Sequence, residues 1–178
     1  NPHQGLKLTG EKKAADLAKQ RTDFPQHWRV EKGELVNAGT GPYATTDEEF
    51  GDIELLIEYK TVAKADSGIY LRGSSKSQVN IWSWPCGSGE VYGYRMDQKM
   101  PAAVRAGVTP KVRADKPVGE WNSFEITMKG DRLTVVLNGK TVIDNAQLPG
   151  VPEKGALALQ HHGGFKDGKY NPASSLVQ

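Results

Sequence analysis

From Trp28 onward apolar residues recur at every second position, and this period of two limits the fold more than any other feature of the chain. Phe124, Ile126 and Met128 alternate with polar neighbours, and Leu133, Val135 and Leu137 do the same. Successive side chains of a strand point to opposite faces, so each run reads as a strand with one face buried. Asn138-Gly139 is a two-residue hairpin turn into Thr141-Val142-Ile143. Residues 28–30 and 34–36 flank Glu31-Lys32-Gly33 as an earlier hairpin. Residues 50–61 put Ile53, Leu55, Ile57 and Tyr59 on one face and Glu54, Leu56 and Glu58 on the other. Residues 69–72, 78–82 and 156–162 read as further strands, and no connecting helix separates the later ones. Twenty glycines and ten prolines supply the turns. The pattern predicts an all-β chain, an antiparallel β-sandwich or jelly roll, in which 178 residues form one domain with a two-layer core.

The first 25 residues differ. Thr9 is placed to cap a run of helix formers, and Pro25 lies beyond their expected end, which predicts a short surface helix over residues 10–22 held by Ala14, Leu17 and Ala18.

Charge excludes one broad class. With 23 basic and 21 acidic residues scattered along the chain and a net charge of +2, the basic footprint of a nucleic-acid binder is missing. No apolar stretch is long enough for a membrane-spanning helix, so membrane insertion is not expected. Cys86 is the single cysteine, which leaves no intrachain disulfide.

The alternation also points to a site. With Val79 and Ile81 inward, Gln78, Asn80 and Trp82 share the outer face. With Leu157 and Leu159 inward, Gln160 and His162 face out, and the same parity pairs Tyr70 with Arg72. Amides, a guanidinium, an imidazole and aromatic rings suit a sugar, which needs fixed donors and acceptors plus a ring for C–H stacking. Ordinary exposed strand residues are the plainer alternative.

Other chemistry fits less well. Glu54 and Glu58 lie about 13 Å apart along a strand, too far for a glycosidase pair. His161 and His162 point to opposite faces, so they do not chelate one metal together. No Cys/His zinc pattern occurs. No cofactor is expected, and a divalent cation held by carboxylates and His162 stays open. Residues 87–93 read either as a glycine-rich loop over a sugar or as a plain turn, and Cys86 as an inert thiol.

Five segments in order carry a resemblance: Ala65-Asp66-Ser67-Gly68-Ile69-Tyr70-Leu71-Arg72-Gly73; Gln78-Val79-Asn80-Ile81-Trp82 with Gly87-Ser88-Gly89-Glu90-Val91-Tyr92; Gly119-Glu120-Trp121-Asn122; Leu137-Asn138-Gly139; and Leu159-Gln160-His161-His162-Gly163. From His27 to Gly163 the chain resembles the 3-keto-disaccharide hydrolase domain family, whose fold is a concanavalin A-like jelly roll. Two strands usual in that family, one at each end, are missing from the pattern, so a chain trimmed of a terminal strand at each end is expected. Residues 164–175 look longer than the usual link and are expected as a loop at the site. The resemblance implies a secreted or periplasmic bacterial protein that acts on oxidised glycosides. Catalytic roles then fall to His162 or Glu90 as base and Arg72 at the enolate or a sugar hydroxyl. Tyr70, Gln78, Asn80, Tyr92 and Gln160 would orient the ring and Trp82 would stack on it. A non-catalytic carbohydrate-binding module is the alternative. Oligomeric state has no signature in the sequence.

Overall fold

The computed structural model describes the chain apart from residues 1, 6, 64, 83, 84, 163, 167, 168, 172–174 and 178, with side chains outside the description at residue 3 and from 164 to the end. Two antiparallel sheets face each other, as the period-two pattern requires. The larger sheet has seven strands. They are β1 (Trp28–Glu31), β2 (Glu34–Asn37), β4 (Ile53–Thr61), β7 (Asn122–Lys129), β8 (Arg132–Leu137), β9 (Lys140–Gln147) and β13 (Ser175–Val177), in the order β1-β2-β13-β4-β7-β8-β9. The smaller sheet runs β3 (Ala44–Phe50), β10 (Gly155–His161), β5 (Asp66–Tyr70), β6 (Gln78–Trp82).

Between the sheets lies the core. Phe124, Ile126 and Met128 from β7 and Leu133, Val135 and Leu137 from β8 meet Ile69, Val79 and Ile81 of the smaller sheet. Both expected hairpins form, and Lys32, Gly33, Asn138 and Gly139 all take the left-handed φ that a tight two-residue turn demands. Helices α1 (Pro2–Gly5) and α2 (Gly10–His27) precede the sandwich, and α3 (Tyr92–Arg95) and α4 (Ala102–Gly107) sit in the crossover from β6 to β7. Among the described residues no helix is long and apolar enough to cross a membrane.

Four expectations change. The first helix runs to His27 rather than residue 22, with Pro25 inside its last turn. It is not held by Ala14, Leu17 and Ala18, since α2 buries no residue. Phe24 instead stacks on Trp28 with centroids 5.9 Å apart, and Arg21 pairs with Asp47. The strand expected from residue 50 begins at Ile53, because Gly51-Asp52 turns the chain from β3 into β4. Within 164–175 the strands β11 (Gly164–Lys166) and β12 (Lys169–Asn171) pair antiparallel and Ser175 opens β13, while residues 167, 168 and 172–174 of that expected loop lie outside the described residues.

Candidate functional site

The register of the smaller sheet sets the outward side chains in rows. Ala158, Tyr70 and Gln78 are aligned across β10, β5 and β6, as are Gln160, Gly68 and Asn80 in the next row. In the third, Asp66 lies opposite Trp82, and His162, just past the end of β10, donates or accepts a 2.8 Å hydrogen bond with Asp66 through Nδ1. The expectation that Tyr70, Gln78, Asn80, Trp82, Gln160 and His162 gather on one face therefore holds as geometry.

The first two rows are wired together. The Gln78 amide donates to Gln160 Oε1, and Gln160 Nε2 donates to the Tyr43 hydroxyl at 2.9 Å. The Tyr43 ring leans on Tyr70 at 5.6 Å and meets His161 edge-on at 5.7 Å. Gly68 lies under the Gln78 side chain, since a Cβ there would come within 2.5 Å of the Gln78 amide nitrogen. Gln78, Gln160 and Tyr43 thus hold one another, which fixes both amides in a single orientation.

This face is less open than its polarity suggests: Tyr70, Asn80, Trp82 and Gln160 are all buried. Burial, reinforced by the neighbouring Tyr43 hydroxyl, pushes the Tyr70 phenol well above its ordinary range, so it stays protonated as a donor. The dyad at the end is accessible, with His162 and Asp66 side chains 65% and 38% exposed.

Of residues 87–93, expected as a loop over a sugar or as a plain turn, 87–90 turn back along β6 and Tyr92 begins α3. Gly89 and Glu90 pair with Asn80 as a bulge, through Asn80 N–H to the Glu90 carbonyl at 3.0 Å and Gly89 N–H to the Asn80 carbonyl at 2.8 Å. A Cβ on Gly89 would reach Val142 at 2.8 Å, so that glycine is there for core packing. Glu90 is fully enclosed. Its carboxylate is ion-paired with Arg95 and accepts from Cys86 Sγ at 3.4 Å. Burial raises the Glu90 pKa, while Arg95 and hydrogen bonds from Cys86 and Asn80 pull it back. Burial and the Glu90 charge push the Cys86 thiol up, which keeps it un-ionised and inert. Arg95 also lies 5.7 Å over Tyr92, whose ring meets Trp82 edge-on at 5.4 Å. The ion pair and the two rings thus close one end of the face.

Arg72 is the correction. The strand β5 stops at Tyr70, and Arg72 takes a left-handed φ of 51° that breaks the alternation. Its guanidinium turns away and is spent on the carbonyls of Gly51 (2.9 Å), Gly130 (2.8 Å) and Pro152 (2.9 Å) and on Asp52 (3.1 Å). A side chain so occupied and 2% exposed ties loops together and reaches no ligand on the face. Three residues of the face were missed. Asp66 shares parity with Gly68 and Tyr70 and was legible as such. Tyr43 lies before the unpredicted β3, and Arg95 on a four-residue helix, so neither carries a periodic signal.

Among the described residues, no group of three or more His, Cys, Asp or Glu side chains is placed to hold a metal ion.

The profile of the 3-keto-alpha-glucoside-1,2-lyase-like domain matches residues 11–170. No curated protein matches the chain. Among solved structures, a putative glycosyl hydrolase from Parabacteroides distasonis superposes with a TM-score of 0.60 at 19% identity, over 84% of this chain and 72% of that one. Another so described from the same organism gives 0.53 at 23% identity, over 86% of each chain. The carbohydrate-binding module CBM66 from Bacillus subtilis gives 0.53 at 11% identity, over 85% of this chain and 88% of that one. These likenesses show the sandwich fold.

Proposed function

Since this chain belongs to the 3-keto-alpha-glucoside-1,2-lyase-like domain family, we propose that it cleaves glycosides carrying a ketone at C3, on the polar face of the smaller sheet. The observation that carries the reading is the accessible His162–Asp66 pair at the end of a buried row of amides and aromatics. Asp66 fixes the imidazole through Nδ1 and leaves Nε2 toward solvent as a base. The ketone acidifies the C2 hydrogen. His162 takes that proton, the electron pair forms the enolate, and its collapse to a C1–C2 double bond expels the C1 oxygen substituent, which takes the proton back from the His162 imidazolium. Water then adds across the double bond, hydroxyl to C1 and hydrogen to C2, giving net hydrolysis. The second amide N–H of Gln78 and of Asn80, the first being spent on Gln160 and Glu90, is the donor for the developing enolate oxygen. Trp82 and Tyr92 offer aromatic edges and faces to the ring, and Glu90, held by Arg95, fixes Asn80 rather than touching substrate.

The test is release of the aglycone from a 3-keto-glucoside, with and without chelator, beside His162→Ala. Release that collapses in the variant supports the reading. Absence of release together with a sugar-dependent rise in melting temperature would mean a binding module and remove the catalytic roles.

A further inference from the structure

Helix α2 buries no residue against the sandwich. Between it and the edge strand β3 is a cleft of about 430 Å³, within the roughly 300–1,000 Å³ usual for small-molecule sites. Leu17 and Phe24 form the wall on the helix side, and Tyr43 and Thr45 the wall on the sheet side. The Arg21–Asp47 ion pair, 3.0 Å long and exposed, crosses its rim.

Tyr43 joins this cleft to the candidate site. One side of the residue lines the cleft, while its hydroxyl receives the Gln160 amide and its ring packs on Tyr70. A ligand seated on the amide row would therefore end beside Tyr43, with the cleft as the next available space. Its chemistry is mixed in the manner a sugar requires: Phe24 and Tyr43 present aromatic surface for C–H faces, and Thr45, Asp47 and Arg21 present hydroxyl, carboxylate and guanidinium groups at the rim. The exposed Arg21–Asp47 pair stays hydrated and can hydrogen-bond a hydroxyl-bearing occupant, whereas a small ion would leave the aromatic walls unused.

We infer that the cleft between α2 and β3 is the subsite for a second pyranose ring, the leaving-group sugar of the glycoside whose oxidised ring lies on the amide row. This assignment rests on the proposed function for its orientation, and on the shape of the cleft for its place. It also gives α2 a role: the helix buries no residue of its own and serves as the far wall of a binding site.

The test compares a 3-keto-disaccharide with the methyl 3-keto-glucoside. Thr45→Trp fills the cleft from the strand, and Leu17→Trp fills it from an exposed helix position that the sandwich does not need for folding. In each, kcat/KM for the disaccharide is expected to fall about tenfold or more, the equivalent of one lost set of ring contacts, with the methyl glycoside unchanged. Parallel loss on both substrates, or no loss on either, would overturn the assignment. If the wild-type protein cleaves neither compound, the catalytic reading fails by itself, and calorimetric titration with the unoxidised disaccharide decides the cleft. Binding heat abolished by Leu17→Trp supports it, and wild-type protein without binding heat removes it.

Discussion

Replacing Arg72 by methionine separates a structural arginine from a catalytic one. The wild-type guanidinium makes four hydrogen bonds, three to backbone carbonyls of Gly51, Gly130 and Pro152 and one to Asp52. Each carbonyl belongs to a different turn, so the side chain pins three loops at one end of the sandwich. Hydrogen bonds involving a charged group contribute about 1.5–3 kcal/mol each, and a buried acceptor left unpaired costs about 1–3 kcal/mol. The four do not add. Asp52 is 65% exposed and keeps its bond from the Gly130 amide at 2.8 Å, so water replaces the arginine there at little cost. Gly130 is exposed as well. The carbonyls of Gly51 and Pro152 carry the loss, and methionine keeps much of the packing of the aliphatic stem. A destabilisation of about 3–5 kcal/mol follows, a large part of the roughly 5–15 kcal/mol that holds a domain together. At about 2–4 °C per kcal/mol for a chain of this size, the melting temperature should drop by about 6–20 °C. Urea denaturation followed by tryptophan fluorescence measures it, with Arg72→Lys expected to recover a minor part because an ammonium cannot reach three turns at once. Unchanged stability with lost turnover would refute the argument and return Arg72 to the substrate.

Other expectations follow from single contacts. Gly155→Ala places a Cβ 2.2 Å from the Arg72 carbonyl oxygen and 2.4 Å from its carbon, both backbone; overpacking of this kind costs about 1–3 kcal/mol or more, and a denaturation midpoint equal to wild type would contradict it. Gly68→Ala meets the Gln78 side chain alone, at Nε2 (2.5 Å), Cγ (3.0 Å) and Cδ (3.1 Å), so the fold should survive while Gln78 swings away and the Gln78–Gln160 bond is lost, and sugar affinity should fall about threefold to tenfold, as for one net hydrogen bond. The raised Glu90 pKa means that the folded state holds this proton more tightly than the unfolded one. Its contribution is thus most favourable at acid pH and is lost as pH rises from the ordinary carboxylate range to the raised folded value. Arg95→Met should extend that loss to higher pH, and Glu90→Gln in the same background should abolish it, as read from urea midpoints across pH. His161 behaves in the opposite sense: burial lowers its pKa from 6.5, so stability is lost as pH falls below that value toward the folded pKa, and His161→Phe should flatten this limb of the profile.

The sequence by itself determined the sandwich, because strand alternation is a local property. The inward sets of β4, β7 and β8 follow from spacing alone, and so do the two tight turns, whose Lys-Gly and Asn-Gly pairs tolerate left-handed backbone. The same parity placed Tyr70, Gln78, Asn80, Trp82, Gln160 and His162 on one face before any contact was known. What only the tertiary structure decided lies where the alternation stops or where distant segments meet. At Arg72 a left-handed residue just past a strand end reversed the side chain, and parity cannot foresee that. Glu90 became a buried partner of Arg95 because a bulge folded it against Asn80. Tyr43 reached Gln160 across 117 positions, and Asp66 met His162 across 96. Such pairs are set by the order in which strands assemble into the sheet, and that order is fixed by burying both sheet faces at once, a condition that no short window of sequence contains.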